Sequence, residues 1–271
     1  MQRLNPYAGK STNQSSNLIA VARLDLSKGS RSYIESLKEV LNQVSKNVSA
    51  LLTLPPANAL RDFINGRKDY TSYRNNLRTL TNRLSLLARD KRIPLIITPV
   101  LRKAGSKVYM TTLIISPLGH YMFKGRSFIP PNLVISSSKN VELAKVANVD
   151  LCFLFIKDLE VPEVARICKF SGSDAIVAVN PPLLTERDPT LTLNLSIARA
   201  VENCLPVIGL GGYLSTEDVQ QPTYLINSDG DVVDFYKDMD PSVFEVEVRK
   251  VNSKVRLDIV KKYTSLIKEL T

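Results

Sequence analysis

The chain has 271 residues, of which 44% are hydrophobic and 23% are charged, a composition typical of globular proteins. Its 36 Lys and Arg residues outnumber its 26 acidic residues, and the formal charge of +10 allows an anionic partner without demonstrating one. No apolar run reaches the roughly 18 residues that a transmembrane helix needs, and residues 1–16 are too polar for a secretory signal. We therefore expect a cytoplasmic protein that does not enter the membrane.

Strands and helices are predicted to alternate in the first part of the chain. Residues 17–26 form a β-branched apolar run typical of a buried strand, and Ser32 with Glu35 forms a capping box that predicts a helix start. Residues 49–56 predict a second strand, and the polar stretch 57–70 leads into a second amphipathic helix. The apolar stripe of that helix consists of Leu77, Leu80, Leu84 and Leu87.

The second part of the chain continues the same alternation. Further strands are predicted at 94–100, 108–116, 149–156, 175–179, 205–210 and 243–248, and further helices at 161–170, at 190–203 and at the C-terminus. Asp229–Gly230 indicates a hairpin. Asp158, Glu160 and Glu163 are expected to favour the dipole at a helix start and to cap its first turn. These patterns predict a layered α/β protein with mixed sheets.

No linker divides the chain. We expect a polar N-terminal arm at residues 1–16, a single domain at residues 17–250 and a C-terminal helix at residues 251–271.

Histidine and cysteine usage restricts the chemistry. His120 is the single histidine, which argues against a Ser–His–Asp catalyst and against most zinc sites. Cys152, Cys168 and Cys204 form neither a CxxC pair nor a disulfide framework, so we expect reduced cysteines, no metal and no cofactor. The GLGG run at 209–212 lacks the last glycine of a dinucleotide-binding loop and predicts a turn.

Four segments together resemble a known family. They are VYMTTLIISPLGHYMFKGR (108–126), DLEVPEVAR (158–166), ARAVENCLPVIGL (198–210) and LINSDGDVV (225–233). In this order they are similar to segments of the nitrilase, or carbon–nitrogen hydrolase, superfamily, and the resemblance covers residues 17–250. It implies a four-layer α-β-β-α sandwich. It also implies a homodimer whose contact uses the helix after the catalytic turn and the C-terminal helix, with an apolar stripe of Val255, Ile259, Tyr263 and Leu266.

The resemblance also implies where a Glu–Lys–Cys triad belongs, and none of its residues is present. Pro56 stands at the position of the glutamate, Ser127 at that of the lysine and Ile156 at that of the cysteine. Without a thiolate the covalent route of the family is lost. At about 3.3 Å per residue, Cys152 lies about 13 Å along its strand from position 156, too far to replace the nucleophile.

Three hypotheses for the function follow. The first is a catalytically inactive nitrilase-like protein that acts through binding or assembly, and the second is an amide or nitrile hydrolase with a rebuilt site, for example Ser127 with Lys124. The third is a basic protein that binds nucleic acid or a ribonucleoprotein. Its candidate site is a segment in which basic and aromatic residues alternate: Arg67, Lys68, Tyr70, Tyr73 and Arg74.

Overall fold

The computed structural model of the chain describes residues 17–131, 134–138, 140–184, 188–251 and 257–270. The predicted arm at 1–16 lies outside these residues. Within them, two six-stranded sheets stack face to face and helices cover their outer sides.

The first sheet and its helices come mainly from residues 18–126. The elements are β1 (Leu18–Arg23), α1 (Ser30–Gln43), β2 (Val48–Thr53), α2 (Ala57–Ile64), α3 (Tyr70–Lys91), β3 (Leu95–Ala104), β4 (Lys107–Ile115) and β5 (Tyr121–Arg126).

The remaining elements follow in residues 144–270. They are β6 (Ala144–Val146), β7 (Val149–Phe155), a 3-10 helix (Ile156–Glu160), α4 (Pro162–Phe170), β8 (Ala175–Val179), α5 (Pro189–Asn203), β9 (Val207–Leu210), β10 (Gly212–Leu214), β11 (Val219–Gln221), β12 (Thr223–Ile226), β13 (Val232–Tyr236), β14 (Ser242–Glu247) and α6 (Leu257–Leu270). Strand β14 joins the first sheet, β10 and β11 pair in a separate two-stranded sheet, and the other strands form the second sheet. Among these helices, none is long and apolar enough to span a membrane.

Both sheets are mixed, as the sequence predicts. The first has the order β14-β1-β2-β3-β4-β5, with parallel pairs among β1, β2 and β3 and antiparallel pairs elsewhere. The second has the order β13-β12-β9-β8-β7-β6, with parallel pairs among β7, β8 and β9. The parallel strands lie in the centre, where both faces are covered and apolar runs are buried.

Two apolar clusters hold the layers together. The larger cluster lies between the sheets and under α1 to α3, and includes Val21, Leu52, Ile96, Phe153 and Val177. The smaller one lies between the second sheet and the helices α4 and α5, and includes Leu154, Val164 and Ala200. The α-β-β-α layering expected from the sequence is therefore confirmed.

Three local expectations are wrong. The polar stretch 57–70 contains α2, whose Ala57, Leu60 and Phe63 are buried at helical spacing. The first helix begins at Ser30 without a side-chain cap, so the predicted capping box does not form. The GLGG run leads into β10 rather than a simple turn, and Gly211 is required because the carbonyl oxygen of Gln221 occupies the space of a Cβ atom.

The C-terminal helix packs on its own chain. Tyr263 stacks on Phe170 of α4 with 6.3 Å between ring centroids, and the guanidinium of Arg166 lies 5.8 Å from the Tyr263 ring. Tyr263 is half-buried, with one ring face against Phe170, and its place in a dimer stripe stays a prediction. Val255 and the side chain of Leu266 lie outside the described residues.

Candidate functional site

The three positions that the resemblance assigns to the triad each follow a strand. Pro56 precedes the first residue of α2 three residues after β2 ends, and Ser127 comes directly after β5. Ile156 comes directly after β7 and opens the 3-10 helix, while its side chain lies outside the described part of the structure. Elements of the two sheets thus carry these positions, because β2 and β5 lie in the first sheet and β7 lies in the second.

Asp158 connects two of these positions. Its Oδ1 accepts hydrogen bonds from the backbone N–H groups of Phe128 at 2.9 Å and Ile129 at 2.7 Å. Its Oδ2 accepts from the backbone N–H of Phe155 at 3.1 Å. The Ser127 hydroxyl donates to the carbonyl oxygen of Ile129 at 2.8 Å and lies 3.4 Å from Asp158 Oδ1. The segment after β5 and the turn after β7 are therefore held together by one buried carboxylate.

Burial dominates the electrostatics of this contact. Asp158 and Ser127 are fully buried. Burial raises the pKa of Asp158 to about 7, against the lowering effect of the hydrogen bonds from Ile129, Phe155 and Phe128. Asp158 caps the first turn of the 3-10 helix, because its Oδ2 accepts from the N–H of the N-cap residue Phe155. The sequence did not predict its second role, in which Oδ1 binds the segment after β5.

Pro56 lies in a different environment. It lines a cavity of 260 Å³ together with residues of α1, α2 and α3, and Ser127 is not among the described residues of the lining. Lys28 and Lys68 also line this cavity, and Lys68 forms an ion pair of 2.7 Å with Asp62. Among the described residues, Ser127 thus contacts the turn after β7 and does not share this cavity with Pro56.

The cysteines differ from the sequence expectation. Cys152 of β7 and Cys168 of α4 form a disulfide, with their Cα atoms 5.8 Å apart. The prediction that the cysteines form no disulfide is therefore wrong, because the packing of α4 on β7 brings these two side chains together. Cys204, at the end of α5, is a free and exposed thiol.

The tyrosines of the basic and aromatic segment pack into the fold more closely than expected. Tyr73 is 4% exposed, and its hydroxyl accepts a hydrogen bond of 2.7 Å from the backbone N–H of Leu101. Tyr70 is half-buried and its hydroxyl accepts from the backbone N–H of Lys103. The expectation of an exposed Tyr73 face is wrong, since Tyr73 packs against Phe63 with ring centroids 5.9 Å apart.

The cations of that segment keep their exposure. Arg67, Lys68 and Arg74 are exposed, although Lys68 is paired with Asp62. Binding of a polyanion here stays a prediction that now rests on charge alone. Among the described residues, no group of three or more His, Cys, Asp or Glu side chains could hold a metal ion.

Comparison with solved structures identifies the fold. A cysteine-to-alanine mutant of an amidase of the nitrilase superfamily from Nesterenkonia AN1 has a TM-score of 0.67 and 15% identity, over 95% of this chain and 98% of that chain. A glutamate-to-leucine mutant of the Nesterenkonia sp. AN1 amidase, with the acetamide moiety of fluoroacetamide added covalently at the active site cysteine, has a TM-score of 0.69 and 15% identity. It matches over 97% of this chain and 100% of that chain. A carbon–nitrogen hydrolase from Helicobacter pylori G27 has a TM-score of 0.66 and 13% identity, over 93% of this chain and 92% of that chain.

The chain therefore has the fold seen in structures of the nitrilase superfamily. No family model matches the sequence, and no curated protein matches it.

Proposed function

We propose that this protein is a nitrilase-fold protein that does not hydrolyse carbon–nitrogen bonds and acts through binding or assembly. The observation that carries the proposal is the residue set Pro56, Ser127 and Ile156 at the positions where the resemblance implies glutamate, lysine and cysteine. Proline and isoleucine have no group that titrates, and a serine cannot supply the ammonium of a lysine. General base, oxyanion partner and nucleophile are then all missing.

The state of the cysteines supports the same conclusion. The solved amidase carries a covalent adduct at an active site cysteine. In this chain the sulfur atoms of Cys152 and Cys168 are bonded to each other, and Cys204 is exposed at the end of α5. A thiolate is the reactive form of cysteine, and a disulfide holds none.

The rebuilt-site alternative lacks an available nucleophile. The hydroxyl of Ser127 is fully buried and donates a hydrogen bond of 2.8 Å to the carbonyl oxygen of Ile129, while Asp158 Oδ1 lies farther away at 3.4 Å. A hydroxyl without solvent exposure cannot reach a substrate carbon, and the neighbouring carboxylate already accepts three backbone N–H groups. Lys124, the partner considered for Ser127, makes no hydrogen bond to Ser127 among the described residues.

Assembly and location belong to the same proposal. We keep the homodimer, with the layer formed by α4 and α6 at its contact, because the resemblance implies a contact through these two helices and they pack on each other in the chain. A cytoplasmic location stays a prediction, and the Cys152–Cys168 disulfide argues against it because disulfides persist in oxidising compartments.

A trapping experiment tests the absence of covalent catalysis. The protein is incubated with short amides and nitriles and its intact mass is measured, with Cys204→Ala as the control that removes the exposed thiol. We expect no acyl adduct on either protein. A substrate-derived acyl group on native Cys204→Ala protein would show a working nucleophile and contradict the proposal.

A further inference from the structure

The positive charge of the chain is concentrated in one segment. Residues 70–141 hold 12 of the 36 Lys and Arg residues and only one of the 26 acidic residues, Asp90. Their formal charge is +11, whereas the rest of the chain sums to −1. This segment contains α3 and the three antiparallel strands β3, β4 and β5. A basic field therefore belongs to one part of the fold rather than to the whole surface.

Within that part, arginines and aromatic rings alternate across three strands. Arg102 of β3 lies opposite Tyr109 of β4 in the antiparallel register, so both side chains are on one face of the sheet. The Arg126 guanidinium of β5 lies 4.7 Å from the Tyr109 ring centroid, and the Arg102 guanidinium lies 5.2 Å from the Phe123 ring centroid. We call these four residues the cation–aromatic ladder.

The ladder is accessible, and its arginines form no ion pair with another described residue. Arg102 is exposed, and Tyr109, Phe123 and Arg126 are half-buried. None of the ion pairs between described residues involves Arg102 or Arg126. An arginine that lies over an aromatic ring without a carboxylate partner keeps its full charge and several free N–H donors.

A second cation–aromatic contact lies on the opposite face of β3, because consecutive strand residues point to opposite faces. The backbone N–H of Lys103 donates to the Tyr70 hydroxyl at 2.7 Å, and the Lys103 ammonium lies 6.0 Å from the Tyr70 ring centroid. The tip of the β3–β4 hairpin is thereby attached to the start of α3, where Arg74 is exposed. The hairpin thus carries a cation beside an aromatic ring on each of its two faces.

We infer that the cation–aromatic ladder, with the adjoining β3–β4 hairpin, is a binding surface for single-stranded nucleic acid. Arginine donors fit phosphate oxygens, and unstacked bases stack on aromatic rings or on guanidinium planes. A duplex hides its base faces and an anionic membrane has none, so the alternation of rings with cations favours the single strand. The inference rests on the proposed function, to which it adds the partner, and it moves the expected contact from Tyr73 to residues that are accessible.

The test is a fluorescence anisotropy titration with a labelled single-stranded RNA of about 12 nucleotides, within the range of known single-strand sites. The first variant is Arg102→Gln/Arg126→Gln, and the matched control Lys145→Gln/Lys237→Gln removes the same charge from exposed positions outside residues 70–141. The second variant, Tyr109→Leu, removes the ring and leaves the charge unchanged. Circular dichroism and thermal unfolding of each variant establish that the fold is retained.

We expect the wild-type protein to bind the RNA at low salt, with a log–log salt slope of about −0.7 for each phosphate contact. The double arginine variant should bind at least about tenfold more weakly with a shallower slope, while the control binds like wild type. Tyr109→Leu should weaken binding at least about fivefold through lost stacking. Duplex DNA and phosphatidylserine vesicles should bind more weakly than the single strand.

Four results would overturn the inference: no RNA binding at low salt, equal binding by the double arginine variant and its control, unchanged binding by Tyr109→Leu, or tighter binding of duplex or vesicles. These results leave the proposed lack of hydrolysis untouched. That proposal fails only through turnover or an acyl adduct, so the two failures are distinguishable.

Discussion

Asp158 is a single carboxylate that joins two segments of the chain. It receives backbone hydrogen bonds from Phe128 and Ile129 after β5 and from Phe155 at the end of β7. Asp158→Asn keeps an oxygen for the first two donors but turns an NH₂ group toward the Phe155 N–H. A buried donor without an acceptor costs about 1–3 kcal/mol, so we expect the free energy of unfolding to fall by that amount in a urea titration.

The matched control for this substitution is Asp69→Asn. Asp69 is exposed and caps α3 by accepting a hydrogen bond from the Ser72 N–H, a role that asparagine performs equally well. The free energy of unfolding of the Asp69→Asn variant should match that of the wild-type protein. Equal losses in both variants would mean that the Asp158 contacts contribute nothing specific.

The same carboxylate predicts a pH dependence. Because burial raises the folded-state pKa of Asp158 to about 7 while the unfolded value is about 3.9, the folded protein holds this proton more tightly. The stabilisation of the folded protein by this proton is fully present below about pH 4 and is lost as the pH rises through about 7. The unfolding free energy of wild type minus that of Asp158→Asn should therefore shrink from about pH 5 to about pH 7.5. A difference that grows over this range would contradict the raised pKa.

Backbone donors explain why this contact escaped prediction. The N–H groups of residues 128, 129 and 155 carry no signal in the amino-acid sequence, and two of them lie about thirty residues from Asp158. By contrast, the sequence itself gives the residues Pro56, Ser127 and Ile156, because the proposed loss of catalytic groups depends only on which side chains stand at these positions.

At the scale of elements, β7 and α4 are connected covalently as well as by packing. The disulfide between Cys152 and Cys168 closes a loop of 16 residues that contains the 3-10 helix after β7. In the chain-entropy account a loop of this size contributes about 3 kcal/mol by restricting the unfolded chain. We expect a reductant to lower the free energy of unfolding by about that amount.

Thiol counting checks the same bond. Native protein should react with Ellman's reagent at Cys204 alone, because this thiol is free and exposed. Denaturation without reductant should expose no further thiol, and Cys204→Ala should abolish the signal. Three reactive thiols in denatured, unreduced protein would show that the disulfide does not form.

The elements differ in how well the sequence predicts them. Helix α3 was predictable because its buried Leu80, Leu84 and Leu87 recur at helical spacing over 22 residues. Helix α2 has only eight residues, and its polar surroundings concealed the spacing of Leu60 and Phe63. The disulfide required knowledge of how α4 packs on β7, which spacing along the chain does not provide.

At the scale of the whole molecule, assembly is the next question. The layer of α4 and α6, stabilised by the stacking of Tyr263 on Phe170, is the surface that we assign to a homodimer. Light scattering at micromolar concentration should give twice the mass of the chain. A monomeric mass under these conditions would remove the homodimer from the account.

The fold of the chain was easier to predict from the sequence than the proposed polyanion site. Strand and helix periodicities predicted a layered α/β protein with mixed sheets, and the resemblance of four segments to the nitrilase superfamily implied the α-β-β-α sandwich. The polyanion site was harder to predict, because the segment at 66–74 uses its Tyr73 for packing against Phe63. Arg102 and Arg126 meet the rings of Phe123 and Tyr109 only through strand pairing.

The most direct test of the central claim is a hydrolysis assay with a panel of amides and nitriles, in which the release of ammonia is measured. We compare wild-type protein with a variant in which Cys152, Cys168 and Cys204 are changed to Ser. The account predicts no turnover above the uncatalysed rate by either protein, because no nucleophile, base or oxyanion partner of the triad is present. Turnover by either protein above the uncatalysed rate would contradict it, and its loss in the triple variant would assign it to a cysteine.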